Sequence, residues 1–355
     1  MAYLIANLCF VIFLGLFSGS YDNKSKNIKF FIWGSFVLLF IVHSFVKPDS
    51  VPDLPNYLDA YEELSYYSFF DLPDSILAYS YELGFLYFMK TISILSTNFT
   101  FFLCFFSFIL LSCYYKVIRE YSPFIFVSIL LLLVTIFDQS IFVLRQHLAM
   151  AVLLLSWRYI INKDFIRFAF ILLIAFSFHV SALVYLPLYF LYNIRNNKKY
   201  IVLVMLGCVV MSFAFFSIME YVGLTVMDNS STYLYNEKYD GSNYKEAIMM
   251  LLLLSSMVFF MRRDVFKPGI NRLVFSIMCI GTLGALFGVG ISATGRLFAY
   301  FTTIPYILVP IVMKYIKNKH IRWSYAVSII LLYSYISYFG TQASCFDSYR
   351  LISLF

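Results

Sequence analysis

The sequence predicts an all-α, polytopic integral membrane protein, and three observations carry that prediction. Of its 355 residues, 62% are hydrophobic and only 13% charged, whereas soluble globular domains are about 45–50% apolar and about 25% charged. Mean hydropathy is +0.82. Apolar runs of about 18–20 residues, the length a helix needs to cross a hydrocarbon core of about 30 Å, recur along the whole chain. No hydrophilic stretch is long enough for a separate soluble domain. Residues 1–355 therefore read as one transmembrane domain with longer outer segments at 48–81 and 223–245.

Taken in order, residues 3–20 and 28–47 make two spans joined by a lysine-bearing turn (Lys24, Lys26, Lys29). Residues 1–20 lack the basic start and small-residue cleavage site of a secretory signal peptide, so they read as an uncleaved first span. The segment 48–81 carries seven acids and Pro48, Pro52, Pro55 and Pro73, which punctuate it as a loop. Residues 82–97 are apolar but short and contain Lys90. The spans that follow are 98–117, 122–140, 143–161, 165–178, 180–194, 199–222, 246–262, 270–291, 296–313 and 321–340.

Orientation comes from the excess of Lys and Arg in cytoplasmic loops. With the loops near 21–29, 114–122, 158–167, 193–200, 262–272 and 314–322 inside, 19 of the 26 Lys and Arg fall inside, but only 4 of the 19 acids. The formal charge of +7 therefore records topology, and nothing in it indicates a nucleic-acid partner. The resulting picture is about twelve transmembrane helices with both termini outside. Its parity requires 82–97 to be a partial or re-entrant helix. The pair 165–194 is short for two crossings at a rise of 1.5 Å per residue. Such broken helices are tolerated where they line protein or a water-filled cavity, so an outward-facing cavity is expected here.

Five polar residues then share the outer face: Asp53, Glu82, Arg145, His179 and Arg296. Ionisable groups in apolar sequence normally face a cavity or substrate path. Arg145 opens a span in Val143-Leu144-Arg145-Gln146; its planar fork suits bidentate contact with phosphate or carboxylate. The plainer alternative is an interfacial arginine snorkelling from a helix end. Arg296 lies between Gly295 and Leu297, and a second outer arginine allows a two-arginine clamp on a diphosphate; an ion pair with an outer acid is the competing reading. His179, in Phe178-His179-Val180-Ser181-Ala182, suits acid–base work near neutral pH or a buried structural role. Asp53 and Glu82 bracket the acidic outer segment, as a base or as ligands for sugar hydroxyls, although most acids in such a segment are simply solvated.

The aromatic load, 30 Tyr and 41 Phe, is compatible with sugar stacking, but interfacial belts explain most of it. Gly281, Gly284 and Gly288 read as close helix packing. Five of the six cysteines lie in apolar runs, and no C-x-x-C or His/Cys spacing indicates a metal site or a disulfide framework. Walker, G-x-S-x-G, H-E-x-x-H and dinucleotide motifs are not found. No cofactor is expected.

Asp53 with Tyr57 and Tyr61, Tyr81-Glu82-Leu83-Gly84-Phe85, Leu144-Arg145-Gln146 with Leu148-Ala149, and Phe178-His179-Val180-Ser181-Ala182 with Leu186-Pro187 form a series in order. Together they resemble the EpsG-like family of Wzy-type polymerases of bacterial O-antigens, capsules and exopolysaccharides. The match extends from about residue 1 to 340, more loosely through Arg296 and Tyr300 at the C-terminal end. The resemblance implies a glycosyltransferase of the cytoplasmic membrane, active on its outer side. It would join undecaprenyl-diphosphate-linked oligosaccharide units, donor and acceptor alike, in exopolysaccharide, capsule or lipopolysaccharide biosynthesis. Partners implied are the lipid bilayer, a flippase that delivers the units and a chain-length regulator.

On that reading Arg145 and Arg296 hold the diphosphate. His179 is base or acceptor-positioning group, with Asp53 or Glu82 as competing base. Gln146, Tyr57, Ser181 and Tyr300 complete the substrate contacts. Two other classes stay open. A polysaccharide ligase would share the lipid-diphosphate donor. A lipid-linked oligosaccharide flippase or transporter would favour mid-membrane charges and internal repeats, and no convincing repeat is visible.

Overall fold

A computed structural model describes residues 2–20, 25–69, 81–193, 244–287, 292–339 and 351. Among these the regular elements are all helices, apart from one isolated antiparallel bridge between Val46 and Leu351. The helices are α1 (Ala2–Phe17), α2 (Ile28–Ser44), α3 (Leu54–Tyr66), α4 (Leu83–Ser93), α5 (Phe99–Tyr121) and α6 (Ile125–Leu132). They continue with α7 (Leu144–Leu154), α8 (Trp157–Ile161), α9 (Phe165–Phe178) and α10 (Leu186–Asn193). The C-terminal third has α11 (Tyr244–Met261), α12 (Ile270–Phe287), α13 (Ser292–Thr302), α14 (Pro305–Tyr315) and α15 (Lys319–Phe339). The expected span at 199–222, and residues 223–243 of the second outer segment, lie outside the described residues.

By length and composition, among the described residues, α5 and the stretch Leu297–Tyr315 are each apolar and long enough to cross a bilayer; apolar helices such as α2, α7 and α9 are shorter. Several of the short ones have visible causes. The run from Ile125 to Ser140 passes through a π-helical turn at Leu133–Phe137, a deformation that inserts an extra residue per turn. Pro305 begins α14, where a missing N–H costs nothing. Asn98 caps α5 by accepting from the Thr100 N–H at 2.8 Å, and Asp164 caps α9 by accepting from the Arg167 N–H at 3.1 Å.

The segment 48–81 corrects an expectation. It is not merely a loop: α3 occupies Leu54–Tyr66. Leu54, Tyr57, Ala60, Tyr61 and Leu64 are buried at the 3–4 residue spacing of one helix face, and Pro55 sits in the first turn, where proline is tolerated. α3 runs alongside α4 in the same direction. Lys90 of α4 fastens the far end, donating to the Leu64 carbonyl at 2.7 Å and the Tyr67 carbonyl at 2.5 Å, a cation on orphaned helix-terminal acceptors.

The core is built from apolar helix faces, with α2 against α5, α5 and α9 against α7, α6 against α14, and α12 against α11 and α13. Polar ties cross it. His43 of α2 pairs with Ser107 of α5 at 2.8 Å and with Ser140 at 3.1 Å. Ser140 donates its own proton to the Phe137 carbonyl, so it accepts from His43 Nε2–H, and Ser107 donates to Nδ1. Trp157 Nε1–H donates to the Tyr185 hydroxyl at 2.8 Å, and the Tyr185 ring stacks on Phe301 at 5.2 Å. These ties bring α8, α13 and the 3-10 turn Val180–Tyr185 into one body around the joint at His179.

Candidate active site

Three chain breaks create the site. Glu82 stands in extended conformation just ahead of α4. Arg145 lies in the first turn of α7. His179 is extended between α9 and the 3-10 turn, so its side chain and the next backbone N–H both leave the helical pattern. α9 packs on α4 and on α7, which closes the three into a triangle. The approach of α4 to α9 depends on Gly84: a Cβ there would fall against Ser177, 2.5 Å from its carbonyl oxygen. Phe88 and Phe178 meet edge to face at 5.9 Å and seal the side of that contact.

Glu82 is the hub. Its Oε2 accepts from Arg145 Nη1–H at 2.5 Å. Its Oε1 accepts from His179 Nδ1 at 2.6 Å and from the Val180 N–H at 3.1 Å. An ionised carboxylate only accepts, so the His179 nitrogen facing it carries the hydrogen, and in the neutral ring Nε2 holds a lone pair. Side-chain exposure is 18% for Glu82, 23% for Arg145 and 22% for His179. The cluster is therefore shielded enough to exceed a surface ion pair in strength, yet open enough for a ligand to reach. Glu82 stands at the start of the 82–97 segment, ahead of the helix itself. Burial pushes its carboxyl up, but the His179 hydrogen bond and charge, then Arg145 and the Val180 N–H, outweigh that and hold it at about 2.

An aromatic cradle fixes the arginine. The Arg145 guanidinium lies 4.6 Å over the Tyr81 ring, a cation–π contact. Tyr81 stacks on Tyr57 at 5.2 Å, and Tyr57, buried on α3, interacts with the guanidinium as well. On the other flank Ser181 Oγ and Tyr300 OH are paired at 3.1 Å, and Tyr300 is near enough to feel the Glu82 charge.

Of the residues expected from sequence, Glu82, Arg145, His179, Tyr57, Ser181 and Tyr300 come together. Gln146 is buried on α7 next to Arg145. Asp53 is exposed at the head of α3, in the left-handed region at φ 61, and meets the cluster through Tyr57, whose N–H donates to the Asp53 carbonyl at 3.4 Å and which feels its charge. The backbone of Arg296 lies on α13, one turn before Tyr300; its side chain falls outside the description. Sequence reasoning missed Tyr81, Gly84 and the Val180 N–H as parts of the site, although Tyr81 and Gly84 flank Glu82 in the motif that drew attention to it. His147 also belongs to this neighbourhood. Its Nδ1–H donates to the Val143 carbonyl at 2.9 Å, and it lies within electrostatic reach of His179.

The arrangement offers a planar cation, an imidazole with an available Nε2 lone pair, and hydroxyls beside them: groups suited to hold an anionic leaving group and take a hydroxyl proton. No curated protein sequence and no solved structure matches the chain. The model of the EpsG family, however, matches residues 50–351, a stretch that contains every residue of the cluster. The chain belongs to the EpsG family.

Proposed function

We propose that this protein is a membrane glycosyltransferase that polymerises undecaprenyl-diphosphate-linked oligosaccharide repeat units for O-antigen, capsule or exopolysaccharide. It works at the outer face of the bacterial cytoplasmic membrane. About twelve helices, several short or re-entrant, surround an outward-facing cavity. The observation that carries this reading is the Glu82 carboxylate shared between Arg145 and His179, in a chain of a polysaccharide-polymerase-type membrane family.

The chemistry follows from the groups. The donor's anomeric carbon is bonded to a diphosphate oxygen, and breaking that bond leaves negative charge on the phosphate. Arg145, pre-positioned by the Tyr81 face, neutralises that charge, with Arg296 as a second cation; such electrostatic preorganisation is commonly the largest catalytic contribution. The acceptor hydroxyl gives its proton to His179 Nε2. The imidazolium that forms is stabilised through Nδ1–H by Glu82, which also holds the ring's orientation. Both Glu82 oxygens are engaged, by Arg145, by His179 Nδ1–H and by the Val180 N–H, whereas Nε2 keeps a lone pair, so the base is His179 rather than Glu82. Ser181, Tyr300, Tyr57 and Gln146 offer hydroxyl and amide partners for sugar oxygens, and Asp53 guards the rim.

The test is the polysaccharide profile of a strain lacking the protein. Collapse of a repeat ladder to a single-repeat band supports the polymerase. Long polymer left unattached would identify a ligase, and lipid-linked units trapped inside would identify a flippase.

A further inference from the structure

We propose that Glu82 is an internal anion that occupies the donor's diphosphate seat on Arg145 until the donor displaces it, and that the displaced carboxylate then serves His179 alone. This rests on the reading of the cluster as the polymerisation site, and it gives Glu82 a role as a positioning residue exchanged between two partners within each cycle.

The two halves of the carboxylate are held unequally. Oε1 is fixed by two donors, His179 Nδ1 at 2.6 Å and the Val180 N–H at 3.1 Å, and one of these belongs to the backbone. Oε2 is held by a side chain, Arg145 Nη1 at 2.5 Å. A carboxylate and a phosphate present arginine with the same acceptor geometry, so a diphosphate reaching Arg145 competes directly with Oε2. The guanidinium need not travel to make the exchange, because Tyr81 supports its face at 4.6 Å and Tyr57 lies beside it. Glu82 can yield Oε2 without leaving its place, because Oε1 stays on His179 and the Val180 N–H.

The exchange orders the reaction. Before donor binding, the single negative charge of Glu82 is divided between Arg145 and His179. After it, Arg145 faces the diphosphate and Glu82 faces His179 undivided. The acceptor oxygen then bonds to the anomeric carbon as its proton passes to His179 Nε2, and the bond from that carbon to the phosphate oxygen breaks with its electron pair leaving on the diphosphate. The imidazolium so formed meets a full carboxylate charge, and the diphosphate meets the arginine. The charged and titratable groups around the Glu82–His179 pair are His147 of α7 on the histidine side, Arg145 of α7 and Tyr300 of α13 on the Glu82 side, with Tyr57 of α3 acting through Arg145. Glu82 is the only carboxylic acid in this described set.

The measurement is inorganic pyrophosphate binding to the full-length protein in lipid nanodiscs, paired with turnover on lipid-linked repeat units, for wild type, Glu82→Gln, Glu82→Asp and Arg145→Ala. Exchange predicts opposite signs for Glu82→Gln: pyrophosphate binds about tenfold more tightly, while turnover falls about a hundredfold. Glu82→Asp, which keeps the charge, binds pyrophosphate within about threefold of wild type. Weaker or unchanged pyrophosphate binding in a folded Glu82→Gln protein overturns the exchange, since it would mean that Glu82 merely props Arg145 in place. Absence of pyrophosphate binding in wild type, or binding that survives Arg145→Ala, overturns the diphosphate seat itself and the exchange with it.

Discussion

Glu82 and His179 are 97 residues apart in the chain, yet the carboxylate oxygen and the imidazole Nδ1 lie 2.6 Å from one another. That contact links the end of the outer acidic segment to the break between α9 and the 3-10 turn. It also decides which ring nitrogen can accept a proton.

Arginine at 145 should not be replaceable by lysine. An ammonium keeps the charge but loses the planar fork and the face that lies on Tyr81. Arg145→Lys is expected to lose about 10²-fold in turnover, with the same protein level in the membrane. Near-normal chain growth by Arg145→Lys would show that a point charge suffices there.

The Glu82 contacts should make stability depend on acidity in a defined window. Its folded carboxyl is depressed from 4.5 to about 2. The folded state therefore binds fewer protons than the unfolded chain between those values, and stability falls with falling pH. The contribution is complete above 4.5 and lost as pH drops through about 2. Thermal melts of wild type and Glu82→Gln should differ most at neutral pH and converge toward pH 2. A gap that stays constant down to that pH would mean that the pair contributes through packing, not charge.

Gly84 tests the route by which Glu82 is delivered. A methyl group at this position meets the Ser177 backbone, which cannot swing aside as a side chain tip can. Gly84→Ala should cost about 1–3 kcal/mol of stability, the usual range for overpacking, and should cut activity more than that loss alone explains. The comparison is a melt alongside polymer yield; activity that survives with normal stability would show that α4 has room to shift.

His43 provides a control histidine outside the cluster. Both ring nitrogens are spent on Ser107 and Ser140, and the ring packs against Phe106 and Phe137. His43→Leu leaves the buried Ser107 hydroxyl short of its acceptor, at about 1–3 kcal/mol for an unsatisfied group, while Ser140 keeps its bond to the Phe137 carbonyl. Turnover per folded molecule should stay at the wild-type value. A selective loss of turnover would move His43 from structure to mechanism.

Much of the helix pattern was readable in the residues. The expected element 165–178 coincides with Phe165–Phe178, because its ends carry a capping Asp164 and a polar histidine. α3 was hidden for a physical reason. Pro52, Pro55 and the acids Asp59, Glu62 and Glu63 mark the polar face as a loop, while Leu54, Tyr57, Tyr61 and Leu64 mark a helix face, and the polar composition prevailed over the spacing. Arg145 and His179 stand out individually as costly residues in apolar runs, and Glu82 as the acid that opens one. Their union does not, because periodicity records which face of a helix is apolar and not which helix lies opposite. Tyr81 stands in the Tyr81–Phe85 motif, but an aromatic beside Glu82 does not by itself show that a guanidinium lies over its ring.

The central claim is that the Arg145–Glu82–His179 cluster joins lipid-linked repeat units, and chain extension by the purified protein tests it most directly. The full-length protein in nanodiscs, supplied with lipid-linked repeats, should yield a ladder resolved on a gel. Arg145→Ala and His179→Ala, each folded as judged by its melt, should leave the single-repeat band unextended. A ladder of normal length from folded Arg145→Ala would contradict the account.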